Sequence, residues 1–121
     1  NSPTTDFFNK SKTVYGYNFA KNHILEQGRA YIVEGYLDVI MLYQAGINNA
    51  VAPLGTALTL EQLKIIAKKG VKIHFAFDGD SAGLKATIRA LENAMPLGIE
   101  TRVSLFPEGI DPADLVQNKQ L

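Results

Sequence analysis

The stretch HFAFDGDSAG, residues 74–83, decides how the rest of the chain is read. The apolar run Val71, Ile73, Phe75 and Phe77 stops abruptly at Asp78-Gly79-Asp80, and Ser81-Ala82-Gly83 opens a helical pattern. By length and by its bounding residues, 71–77 is a buried strand. Two carboxylates one residue apart at a strand's end repel and raise each other's pKa unless positive charge sits on them. A divalent cation, which takes oxygen ligands at short range, is the usual remedy. The competing reading is a plain turn at Asp78-Gly79 with Asp80 or Ser81 capping the helix. Asp-x-Asp alone does not separate the two.

Outward from this stretch, the pattern is strand then helix. Val14, Tyr17, Ile24 and Leu25 predict a helix over 13–27, closed by Gly28. Residues 29–34 read as a short buried strand ending at Glu34-Gly35, and Leu37, Ile40, Met41 and Ala45 as an amphipathic helix closed by Gly46. Ala50-Val51-Ala52 is a second strand, broken by Pro53, and 54–58 a loop. Thr59 and Gln62 have the form of a capping box for a helix whose apolar face is Leu60, Leu63, Ile66 and Ala67. After the third strand, Leu84, Ile88, Leu91 and Met95 mark a helix that stops at Pro96. Residues 102–106 alternate as an edge strand, and Asp111-Pro112 start a terminal helix.

Such alternation predicts an α/β fold: a three-layer sandwich with a mainly parallel four-stranded sheet, helices on both faces and right-handed crossovers. Ligands of these sheets sit outside the carboxyl ends of strands where the strand order reverses. With predicted strands 1 and 3 adjacent, in the order 2-1-3-4, Glu34, Asp78 and Asp80 face one crevice. Oxygen donors without His or Cys select Mg²⁺ or Mn²⁺ over zinc. One or two such ions, about 4 Å apart, suit in-line phosphoryl displacement. Gly35 and Gly79 leave room for a phosphate or ion, and Glu34 is placed to act as general base on a hydroxyl. Asp38 is either a first-turn acid favoured by the helix dipole or support for the site. Asp111 is a cap or a further acid of the region. His23 and His74 read as structural or surface residues, Lys85 and Arg89 as a solvated face. Gly55-Thr56 reads as a turn, with anion binding the sharper alternative.

At 121 residues the chain is one domain with a sizeable core, and 46% apolar residues exclude a disordered class. No apolar run reaches the roughly 18 residues of a membrane span. Cysteine is absent, which fits a reducing cytoplasm. Lys plus Arg and Asp plus Glu are 12 each, so the chain lacks the basic excess of an autonomous nucleic-acid binder. A first residue other than Met suggests a piece of something longer.

The segments Val33-Glu34-Gly35-Tyr36-Leu37-Asp38-Val39 and Phe77-Asp78-Gly79-Asp80-Ser81-Ala82-Gly83 resemble the TOPRIM domain of topoisomerases, primases, recombination-mediator proteins and related nucleases. Three further segments resemble the bacterial replicative primase family, the DnaG type. They are Asn1-Ser2-Pro3-Thr4-Thr5 leading through Phe8 and Lys10 to Tyr15-Gly16, then residues 46–56, and Asp111-Pro112 with Asp114-Leu115. Ala113 departs from the pattern, which leads one to expect another Asp.

The resemblance implies a connecting segment and helix at 1–27 and a TOPRIM catalytic domain at 28–121. Glu34, Asp78 and Asp80 become metal-binding acids, with Asp111 a further acid. Lys10 becomes a basic residue facing the site, and Asn1 a polar one near it. It implies RNA-primer synthesis on single-stranded DNA from ribonucleoside triphosphates in a bacterial cytoplasm. A zinc-binding domain, a basic amino-terminal half and a carboxy-terminal domain contacting the replicative helicase belong to the family's full-length enzyme and are absent from this sequence. A monomeric fragment with little or no activity is expected. The alternatives are a TOPRIM piece of a topoisomerase or nuclease, and a non-enzymatic receiver-like Mg²⁺ module. A receiver would pair its acids after the first strand, whereas Glu34 is single there and Asp80 is extra.

Overall fold

The computed structural model describes residues 14–53 and 58–106, apart from the side chains of Lys69, Asp78, Ser81 and Phe106. Asn1, Lys10, Gly55-Thr56, Asp111 and the terminal helix lie outside the described residues. The elements run β1 (Val14–Tyr15), α1 (Tyr17–Gln27), β2 (Arg29–Ile32), α2 (Tyr36–Gln44), β3 (Ala50–Pro53), α3 (Leu60–Ile66), β4 (Lys72–Asp78), α4 (Ser81–Ala94) and β5 (Thr101–Phe106). Short 3₁₀ turns follow α3 and α4.

The sheet has the order β1-β3-β2-β4-β5. Its parallel part, β3-β2-β4-β5, is the expected 2-1-3-4 arrangement with the first and third predicted strands adjacent. Their register runs from Arg29↔Lys72 to Ile32↔Phe75, and β4 pairs β5 from Ile73↔Thr101 to Asp78↔Phe106. Residues 102–106 are an edge strand, as their alternation suggested. No described helix is long and apolar enough to cross a membrane.

The sheet has five strands where four were expected. β1 adds itself antiparallel to β3, with Val14↔Pro53 and Tyr15↔Ala52. The helix predicted over 13–27 therefore loses Val14 and Tyr15 to a strand. Gly16 makes the break: its φ of 83° lies in the left-handed region, and a Cβ there would sit 3.3 Å from Val39 Cγ1. β3 also runs through Pro53 instead of stopping before it. The parallel ladder with β2 has already ended at Val51, so the missing N–H costs nothing on that side.

Both faces of the sheet are covered, as a parallel sheet requires. On one, Ala30, Ile32, Val51, Ile73, Phe75 and Phe77 pack with buried residues of α1, α3 and α4. On the other, Val33, Ala50, Ala52 and Ala76 pack with Val39 and Leu42 of α2.

The helices keep the predicted period but not always the predicted face. α4 buries Gly83, Thr87, Ala90 and Ala94, each one position before the expected Leu84, Ile88, Leu91 and Met95. Leu84 is exposed, Ile88 is 56% exposed and Met95 75%. Small residues let the helix sit close on the sheet, and the Thr87 hydroxyl donates back to the Gly83 carbonyl at 2.8 Å. α2 likewise buries Val39 and Leu42 while Leu37 and Ile40 are exposed. In α3, Leu63 and Ile66 are buried as expected, but Leu60 is exposed and Gln62 takes its place. Gln62 can be buried because the capping box is formed: the Thr59 amide donates to Gln62 Oε1 at 2.9 Å, and the Gln62 amide to Thr59 Oγ1 at 3.1 Å.

Candidate metal centre at the carboxyl ends of β2 and β4

β2 ends at Ile32, and the Val33 amide still reaches the Val51 carbonyl at 3.0 Å. Glu34-Gly35 then turn the chain into α2, so Glu34 lies just past the strand instead of closing it. Asp38 fixes that turn: its Oδ2 accepts the Gly35 amide at 3.3 Å from the first turn of the helix. Gly35 itself is extended, with φ −136°, and a Cβ there would meet only Asp38 Oδ2 at 3.9 Å. The backbone does not demand a glycine at this position; the space above it stays open to a ligand.

β4 runs one residue further than predicted, to Asp78, whose backbone pairs with Phe106 of β5. Gly79 and Asp80 are exposed in the turn that follows. Asp80 is the N-cap of α4, and its Oδ1 accepts the Gly83 amide at 2.7 Å. The cap reading of the sequence thus holds for Asp80. Its second carboxylate oxygen has no partner among the described residues.

Because β2 and β4 are neighbours and parallel, the Glu34-Gly35 and Gly79-Asp80 turns leave the same edge of the sheet. Among the described residues no group of three or more His, Asp or Glu side chains is placed to hold a metal. The donors that do stand on these two turns are carboxylate oxygens, a set that fits Mg²⁺ or Mn²⁺ and not zinc. Neither His joins them. His23 is half-buried on α1, 6.1 Å from the Phe19 ring.

His74 lies within the sheet. It is buried, its Nε2 stands 2.8 Å from Ser104 Oγ, and its ring is 5.0 Å from that of Tyr31. Burial, and then the charges of Arg29 and Arg102, lower its pKa to about 4, so the ring is neutral at pH 7. The sequence reading missed this polar row with its two arginines. The signal was there in the alternation of Arg102 and Ser104, but it needs the β2–β4–β5 register to become a cluster.

The chain belongs to the Toprim-like family, whose model matches residues 31–116. More narrowly, it is similar along its whole length to bacterial DNA primases. The DNA primase of Helicobacter pylori is 45% identical over 124 residues, covering all of this chain and 22% of that protein. A DNA primase domain from Pseudomonas aeruginosa superposes with a TM-score of 0.83 at 42% identity, covering 98% of this chain and 37% of the other. A DnaG primase catalytic domain bound to single-stranded DNA gives 0.81 at 38% identity, covering 94% and 37%. The chain spans about a fifth of the length of the curated relatives it matches.

Proposed function

We propose that the chain is the metal-binding catalytic part of a primase that makes RNA primers on single-stranded DNA. Within it, residues 1–27 serve as a connecting segment and 28–121 as the catalytic domain. Glu34, Asp78 and Asp80 would hold one or two Mg²⁺ or Mn²⁺ ions. Those ions, when bound, supply Lewis-acid polarisation of phosphoryl oxygens. Glu34 takes the proton of the primer 3′-hydroxyl as its oxygen bonds to the α-phosphorus of a ribonucleoside triphosphate. The bond to pyrophosphate breaks, and pyrophosphate leaves with the electron pair. Asp38 holds the Glu34-Gly35 turn in place, and Gly35 and Gly79 give the phosphates room. Lys10, Asn1 and Asp111 are assigned to the same cleft on resemblance alone.

The observation that supports this most is the adjacency of β2 and β4, which brings two acid-bearing turns to one sheet edge in a chain similar to primases. The site is part of a larger one. A neutral chain has little general attraction for nucleic acid, so the fragment alone makes little or no primer, and the rest of the grip, with a contact to the replicative helicase, belongs to the full-length protein.

The test is a Mn²⁺ titration followed by amide NMR signals. Broadening centred on residues 34–38 and 78–81 is the expected result. No response there at millimolar metal would reduce the acids to caps and turns.

A further inference from the structure

The sheet face that carries α2 has a second chemical feature, at the opposite end of the strands from the acids. Arg29 pairs with Lys72 in one row across the sheet, and Tyr31, His74 and Arg102 form the next row on the same face. His74 ties the row together: it touches Tyr31 and bonds to Ser104, and burial first, then the charges of Arg29 and Arg102, keep it neutral. Three cations therefore line the amino ends of β2, β4 and β5. One acid answers them among the described residues: Glu100, 3.3 Å from Lys72 Nζ, in a pair more than half exposed overall. Beside this row opens a cavity of about 480 Å³ lined by Gly28, Arg29, Tyr31, Asn49, Gly70 and Lys72. Its two glycine walls are open: a Cβ on Gly28 or Gly70 would meet nothing within 4 Å.

We infer that this cavity and the neighbouring Arg102 hold the phosphates of a nucleic-acid single strand. Alternate residues of a strand are about 6.6 Å apart and neighbouring strands about 4.8 Å. The cations are thus spread over several successive phosphates and not gathered around one. The half-buried Tyr31 ring beside them supplies a face on which a base can stack. Structural explanations account for two of the three cations: Lys72 is paired with Glu100, and the helix end answers Arg29. α1 ends at Gly28, so its carbonyl end faces the cavity and attracts a positive charge; Arg102 stands two strands away from that end. The geometry asks only for phosphate, and the choice of a nucleic-acid strand rests on the primase reading.

The experiment uses the 121-residue chain in EDTA with a fluorescein-labelled oligothymidylate, titrated over a series of salt concentrations and followed by anisotropy and amide NMR signals. EDTA keeps the acid end out of the measurement, so failure here leaves the metal reading standing, and a silent Mn²⁺ titration leaves this one standing. The amides of Tyr31, His74 and Arg102 shift most. Arg29→Gln with Arg102→Gln weakens binding about tenfold or more at low salt and reduces the slope of log K against log salt by about 1.4, two contacts at about 0.7 each. Should the double variant fail to fold, Arg102→Gln alone, on the exposed edge strand, reduces the slope by about 0.7. An unchanged slope and affinity would overturn the proposal and leave Arg29 as a partner of the helix end and Arg102 as a solvated edge-strand residue. Inorganic pyrophosphate moving the same amides at the same concentrations as the strand would overturn it too.

Discussion

Asp80 Oδ1 accepts the Gly83 amide at 2.7 Å, so the carboxylate caps α4, while the proposed metal site would use its other oxygen. The two roles come apart under substitution. Asparagine caps as well as aspartate, whereas alanine forfeits about 1 kcal/mol of cap. Asp80→Asn should therefore keep the urea midpoint of the chain nearly unchanged, and Asp80→Ala should lower it. Both should lose the Mn²⁺-dependent broadening of the signals around residues 78–81. An Asp80→Asn chain that still responded to Mn²⁺ would leave Asp80 a cap and nothing more.

The fold was legible in the sequence because the information lay in spacing. Strand, turn and helix alternate from residue 29 onward, and that alternation is enough to put the Glu34-Gly35 turn and the end of β4 at the same end of the sheet. What the sequence hid was phase and pairing. In α4 the large residues Leu84, Ile88 and Met95 dominate any apolar count, yet the seat on the sheet takes Gly83, Thr87, Ala90 and Ala94. Closeness of approach, not side-chain size, decides there. β1 is two residues long, too short for any periodicity, and exists because Gly16 takes a left-handed turn. Arg29 and Arg102 are far apart in sequence and meet only through His74.

The shifted face of α4 makes a prediction that runs against the sequence pattern. Ile88 is 56% exposed, so Ile88→Lys should change the stability of the chain by no more than about 0.5 kcal/mol. Ala90 is 1% exposed against the sheet, and Ala90→Leu should cost about 1–3 kcal/mol through overpacking. Urea unfolding of the two variants checks the pair. A large loss at Ile88 with none at Ala90 would mean that the helix is rotated about its axis from the arrangement described.

His74 should make stability depend on pH. Its pKa falls from 6.5 in the unfolded chain to about 4 in the fold, through burial first and then the Arg29 and Arg102 charges. Between those values the unfolded chain binds the proton and the folded one does not, so stability rises with pH in that window. The contribution is fully present above pH 6.5 and is lost as pH falls toward 4. Its upper bound is about 3–4 kcal/mol, the fall from 6.5 to about 4 taken at 1.36 kcal/mol per pH unit. Replacement by Gln removes the titration. The difference in urea midpoint between pH 7.5 and pH 4.5 should shrink in His74→Gln relative to the parent chain, and an equal difference in both would assign the acid sensitivity to the carboxylates.

Asp78→Asn is the sharpest test of the metal centre. The Asp78 backbone is the last rung of the β4–β5 ladder, paired with Phe106, so its place is set by main-chain bonds that an asparagine also makes. Asn is close to Asp in volume but removes the negative charge that a divalent ion needs. In the full-length primase the substitution should abolish primer synthesis from ribonucleoside triphosphates on a single-stranded template, while the thermal unfolding midpoint stays where it was. The 121-residue chain should make little or no primer with either residue. Undiminished synthesis by Asp78→Asn in the full-length enzyme would remove Asp78 from the metal centre and leave Glu34 and Asp80 without the acid that joins them.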